Sequence, residues 1–136
     1  MSDATNYVKN LMQLAAFNDV GNPVTMPANW YLGMFTTPTD DDGGGAEVSG
    51  GSYERILIPN KPSHWTDGGN GLMTLAQIVQ SATPTGNWGQ ITHLALHDAL
   101  TAGNMWFHRA ANSPFTKSNG DEPVIFDAGS ITVQFL

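Results

Sequence analysis

The spacing of apolar residues changes once along this chain. Between Ser2 and Phe17, Tyr7, Leu11, Leu14 and Ala15 recur at helical intervals, and Val8 and Met12 widen the stripe. This predicts an N-terminal helix capped by Ser2 or Asp3 and stopped by Gly21 and Pro23. From Trp30 the period becomes two. "WYLGMFT" (Trp30 to Thr36), "SYERILI" (Ser52 to Ile58) and "QITHLALHD" (Gln90 to Asp98) read as strands, and "NMWFHRA" (Asn104 to Ala110) as a hairpin partner after a Thr-Ala-Gly turn. "LMTLAQIV" reads as a strand or a short helix, and "EPVIFDAGSITVQFL" as two short strands hinged at Asp127-Ala128-Gly129. "PNKPSHWTDGGNG" reads as a long polar connection. About seven short strands between turn signals predict an all-β fold, an antiparallel β-sandwich of jelly-roll type. The expected layout is a helix or arm over residues 1–20 and a sandwich over 21–136, one structural domain overall.

Composition sharpens this picture. Hydrophobic residues make up 40%, enough for a core, while charged residues make up 12%, about half the usual share of ~25%. Thr, Ser, Asn, Gln and Gly must cover the surface, as suits a β protein or one packed against neighbours. The formal charge is −7, and the five cations (Lys9, Arg55, Lys61, Arg109, Lys117) stand singly. Phosphate backbones and anionic membranes require clustered cations, so nucleic-acid and membrane partners are excluded. With no cysteine, disulfides and thiolate metal sites are excluded too. Asp3 sits where a signal peptide carries positive charge, and no run approaches the ~20 apolar residues of a spanning helix. A soluble chain made in the cytoplasm is expected.

Candidate chemistry gives way on spacing. His93 and His97 would face one ion on a helix, but on a strand they stand roughly 13 Å apart. A metal site would need His108 from across the hairpin. Ser49 lacks the first glycine of a nucleophile elbow, because Glu47 holds that place. Asp98 follows His97 directly, so the two point to opposite faces of a strand. The stretch "TTPTDDDGGGAEVSGGSYER" (Thr36 to Arg55) suggests an ion or phosphate loop. Its aspartates are consecutive, however, so their side chains diverge, and it has no G-K-[ST]. It reads as a flexible connection between strands. Catalytic, cofactor and metal residues are therefore expected to be none. Trp30 and Trp106 are expected in the core, whereas Trp65 and Trp88, in connections, are expected as exposed platforms. The helix stripe either caps its own sandwich or docks on a neighbour.

The order "PANWYLGMFTTPTDDDGGGAEVSGGSYER", "SATPTGNWGQITHLALHDALTAGN", "FDAGSITVQFL" covers nearly the whole chain. It resembles a family of small bacteriophage virion proteins, commonly labelled tail-fibre proteins and similar in form to capsid cement or decoration proteins. Their pattern includes a T-D-x-G-G-G-x-E-V-S-G-G-x-Y-x-R segment, a W-G-x-I-T-H strand and a D-A-x-x-G-G-N turn. The resemblance implies a non-enzymatic structural component of a virion, made in the bacterial host cytoplasm. The first expectation is a cement protein bridging neighbouring capsid subunits. The alternatives are a tail-fibre protein for assembly or receptor binding, and a carbohydrate-binding module using Trp65 and Trp88. Expected partners are the major capsid protein or other virion proteins and further copies of the chain, as a dimer or trimer. The residues expected at such interfaces are Tyr7, Val8, Leu11, Met12, Leu14, Trp65 and Trp88.

Overall fold

Alternation along β1 (Asn29–Phe35) sends Trp30, Leu32 and Met34 into one cluster and Phe35 into another, the two-sided packing a pleated strand dictates. The structure is a computed structural model that describes residues 4–17 and 24–135. Among the described residues, helix α1 (Asn6–Phe17) precedes nine strands. These are β1, β2 (Ile56–Pro59), β3 (Trp65–Gly69), β4 (Leu72–Leu75), β5 (Val79–Gln80), β6 (Gly89–His97), β7 (Met105–Lys117), β8 (Ile125–Phe126) and β9 (Thr132–Gln134). One layer is a four-stranded sheet in the order β2-β1-β6-β7; opposite it lie β3-β4-β9 and the short pair β5-β8. Every pairing is antiparallel. The main core joins Leu32, Ile58, Ile91 and Phe107 of the large sheet to Trp65, Leu75, Phe126 and Val133 of the others. The chain is thus an all-β antiparallel sandwich with one N-terminal helix.

Several elements depart from the expectations. Trp65 opens a strand inside the segment read as connection, because Leu75, Thr74 and Met73 offer it a β partner. β7 runs on to Lys117 through a break in register between Ile91 and His93, which lets Phe115 pair with Ile91. Thr5 begins the helix: its carbonyl accepts the Lys9 amide at 3.1 Å, and its hydroxyl lies 3.5 Å from the Val8 amide. The caps Ser2 and Asp3 and the stop at Gly21 and Pro23 lie outside the described residues.

The helix stripe divides in two. Val8 is buried in the sandwich's own core, with Leu11 and Met12 packed against it, so these interface candidates cap their own domain. Tyr7, Leu14 and Phe17 remain exposed. Ala4 and Thr5 lie along β7: Ala4 bridges Phe107, and the Thr5 amide donates to the Trp106 carbonyl at 2.9 Å. That contact covers part of an edge strand that would otherwise present unpaired backbone groups.

The tryptophans correct another expectation. Trp65 and Trp88 are 7% and 4% exposed and cannot serve as platforms. Trp88 is drawn inward because its indole N–H donates to the Gly51 carbonyl at 2.9 Å while its ring stands edge-on to Tyr53. The Thr85 amide also donates to the Gly51 carbonyl, at 3.0 Å. The loops at 50–53 and 84–88 are therefore stapled glycine to glycine: a Cβ on Gly51 would come within 2.9 Å of the Gly86 backbone. Gly50, also at positive φ, has open space at its Cβ position. Gly50→Ala should cost about 1 kcal/mol, from backbone conformation alone. Gly51→Ala should cost about 3 kcal/mol, because the methyl also meets fixed backbone. Urea unfolding followed by tryptophan fluorescence measures both, and equal costs would contradict the close approach.

Candidate functional site

Beyond β1 the chain leaves on the acidic glycine stretch and returns along the same strand. Glu47 bridges Phe35, and the Val48 amide donates to the Met34 carbonyl at 3.0 Å. The excursion crosses the back of the large sheet, where Phe35, Ala95 and Met105 form a second apolar cluster that needs a cover. Only a glycine-rich segment can lie this close. At Gly45, with φ of +108°, a Cβ would stand 3.0 Å from the Pro38 carbonyl oxygen and 3.1 Å from the Phe35 ring.

The three aspartates do diverge, and each has work inside the fold. Asp40 Oδ1 accepts from the amides of Asp42 and Gly44 at 2.9 and 2.8 Å. Asp41 accepts from Lys9 Nζ at 3.2 Å and from His108 Nε2 at 2.9 Å. These two donors, His108 first, hold the Asp41 carboxyl below its usual range. Asp42 Oδ1 accepts from Asn6 Nδ2 at 2.8 Å. The stretch expected as a flexible connection is instead docked on the helix start and on β7. Sequence spacing could not show this, since every partner is distant along the chain.

Glu47 is the centre of the site. Its carboxylate accepts from Arg55 Nε (2.9 Å, to Oε2) and Nη2 (2.9 Å, to Oε1) and from the Tyr53 hydroxyl at 2.6 Å. That hydroxyl in turn accepts the Met34 amide at 2.9 Å, a donor in β1 beyond its last β2 pair at Leu32. Arg55 Nη1 reaches the carbonyls of Ala99 and Ala102, both at 2.8 Å. It thereby clamps the turn between β6 and β7. Asp98 holds that turn from within, accepting the Asn104 amide at 2.8 Å and the Trp106 indole N–H at 3.1 Å. Burial opposes ionisation of Glu47, but hydrogen bonds from Arg55 and Tyr53 outweigh it and its carboxyl stays below the usual range. Burial and the bond to Glu47 push the Tyr53 phenol far above its ordinary value.

Gly33 makes room for this carboxylate. A Cβ there would lie 2.9 Å from Glu47 Oε2 and 3.0 Å from His97 Cε1. His97, 4% exposed, stacks on Phe35 with ring centroids 5.8 Å apart. One ring nitrogen bonds the Tyr31 backbone, while Nδ1 is buried without a hydrogen-bond partner. Burial, then the positive charge of Arg55, lower its imidazole to about 4. The other histidines go elsewhere: His108 sits between Asp41 and Thr39 Oγ1, and His93 Nδ1 lies 2.9 Å from Thr92 Oγ1. No three His, Cys, Asp or Glu side chains gather for a metal among the described residues. Glu47, Arg55, His97 and Asn104 line a polar cleft of about 520 Å³ between the helix start, the acidic loop and the β6–β7 turn. The sequence singled out none of Gly33, Tyr53, Arg55 or Asn104 as site residues. The stretches carrying the family resemblance contain all four, and that was the available signal.

In a comparison with known families, residues 3–134 match the family described as "Podophage GP4 fiber I protein gp80". No curated protein matches the chain.

The His97 environment sets a pH dependence. Its folded value of about 4 lies below the ordinary ~6.5, so the unfolded chain takes up the proton first. Stability is full above pH 6.5 and declines by about 3 kcal/mol as pH falls toward 4. Further loss follows below pH 4 as Glu47 and Asp98, both held low, are protonated. Urea midpoints at pH 7.5 and 4.5 should differ in the wild type, and the difference should shrink in His97→Gln. An unchanged difference in that variant would contradict the assignment.

Proposed function

The chain belongs to the Podophage GP4 fiber I protein gp80 family, and from that premise we propose that it serves in the tail fibre rather than as capsid cement. It is a phage virion structural protein, and no helix among the described residues is long and apolar enough to cross a membrane. The observation that carries the fibre reading is the match itself, which spans residues 3–134 and is described as a fibre protein. The first expectation, cement, has no comparable support.

In this reading the module is not an enzyme. Its ionisable groups are spent on architecture: Glu47 is bound through both oxygens, and Asp98 holds a turn. Its partners are other virion proteins and further copies of itself, engaged through the exposed side of α1 at Tyr7, Leu14 and Phe17. Low surface charge suits such packing. Val8, Trp65 and Trp88 take no part, being buried in the core.

Immunogold labelling of purified virions and densitometry of their proteins test the location. The fibre reading predicts label at the tail and a copy number on the order of tens, set by a small cyclic symmetry. Label over the head with hundreds of copies would overturn it in favour of cement.

A further inference from the structure

Helix α1 carries a second stripe that its own sandwich does not use. Tyr7, Asn10, Leu14 and Phe17 recur at intervals of three, four and three residues, the spacing of a coiled-coil seam. Val8, Leu11 and Met12 belong to the face that packs on the domain's core. At ~100° per residue the second stripe is turned roughly 130° away from them. Its apolar members stay in water: Tyr7, Leu14 and Phe17 are 37%, 42% and 89% exposed, and Asn10 is exposed between them. The helix itself is held in place, because Val8 lies in the core and Thr5 bonds β7 through its amide and its hydroxyl. A partner therefore meets a preformed stripe, and ordering the helix adds little to the cost of association.

Charge selects what covers this stripe. The one charged residue of α1 is Lys9, and its Nζ is bound to Asp41 Oδ2 at 3.2 Å. A chain of net charge −7 repels its own copies over most of its surface, but two such stripes meet without bringing like charges together. A strongly charged partner finds no counter-charge here. Asn10 then fixes the direction. Antiparallel helices set Tyr7 against Phe17 and Asn10 against Leu14, which buries each carboxamide against an aliphatic side chain. Parallel helices in register set Asn10 against Asn10, where each carboxamide can donate to the other's oxygen. A single polar residue in an apolar seam specifies register in this way. We propose that α1 joins copies of this chain through a parallel seam of Tyr7, Asn10, Leu14 and Phe17 around a rotation axis. The sandwiches then lie at one level around that axis, as a cyclic assembly requires. The inference rests on the reading of α1 as the contact between copies and adds the partner, the direction and the register.

A seam on a helix of 12 residues buries less than the ~1,000 Å² of a stable interface, so a dissociation constant on the order of 0.1 mM is expected. Sedimentation equilibrium of the full chain up to about 1 mM should show association. Leu14→Glu alters an exposed position and should keep the wild-type melting temperature. It should weaken association about tenfold or more, because like charges then face each other across the seam. Direction is read from disulfides, since the chain has no cysteine of its own. Tyr7→Cys and Phe17→Cys chains are mixed and oxidised, and the products are identified by mass spectrometry. The two positions lie ~15 Å apart along a helix, so a parallel seam joins like positions and an antiparallel one joins unlike positions. Asn10→Leu should tighten association and give both kinds of product, as the cost and the direction imposed by Asn10 disappear together. A chain that stays monomeric, association that Leu14→Glu leaves unchanged, or unlike positions joined in chains that keep Asn10 would each overturn the proposal. Monomeric chains with tail-localised label would overturn it and leave the fibre reading intact, and like positions joined with label over the head would do the reverse.

Discussion

One half-buried carboxylate organises this molecule. Glu47 lies over Gly33 in the middle of the large sheet, where an unpaired charge would be costly. It is tolerated because Arg55 meets both oxygens side-on and the Tyr53 hydroxyl completes the set. The side chains of Arg55 and Glu47 are 8% and 23% exposed, so this pair lies between a solvated surface bridge and a fully buried one. Losing one partner of a fully buried pair typically costs about 3–5 kcal/mol, and water reaching Glu47 makes that an upper bound here. Such a pair does not need to outdo a hydrophobic one in stability. What it adds here is direction: its donors and acceptors can be satisfied in one arrangement of four segments.

Those segments are the acidic loop, the approach to β2, the centre of β1 and the turn between β6 and β7. Tyr53 ties the second to the third through the Met34 amide, and Arg55 ties it to the fourth through the carbonyls of Ala99 and Ala102. With the loop fixed, Asp41 and Asp42 reach the first turn of α1, and the cluster of Phe35, Ala95 and Met105 gains a cover. The same fixation creates the cleft, whose walls are the loop, the helix start and the turn. Structural network and cleft are two sides of one arrangement. A module built this way keeps its surface geometry while its neighbours in a virion pull or press on it.

Much of the fold was legible in the sequence. The switch of period near Trp30 separates helix from strands, and alternation in "WYLGMF" and "QITHLALH" places β1 and β6. Local rules failed where a partner lay far away. Trp65 reads as part of a connection until β4 pairs with it, and Trp88 reads as exposed until the Gly51 carbonyl draws it in. "DDDGGG" reads as loose because turn chemistry gives no hint of Lys9, His108 or Asn6 waiting across the fold. The Glu47, Tyr53 and Arg55 spacing carried the family resemblance, but its physical meaning needs Gly33 and the turn at Ala99, neither near in sequence. The motif that first suggested an ion site is the lock of the architecture.

Amide hydrogen exchange in the wild type and in Glu47→Gln tests this account most directly. The account predicts that Val48, Met34 and the turn amides around Asn104 lose protection together in the variant, while Ile58 and Leu96 in the main core keep most of theirs. Wild-type protection at all of these amides, or loss confined to Val48, would contradict the claim that one carboxylate holds the four segments in register.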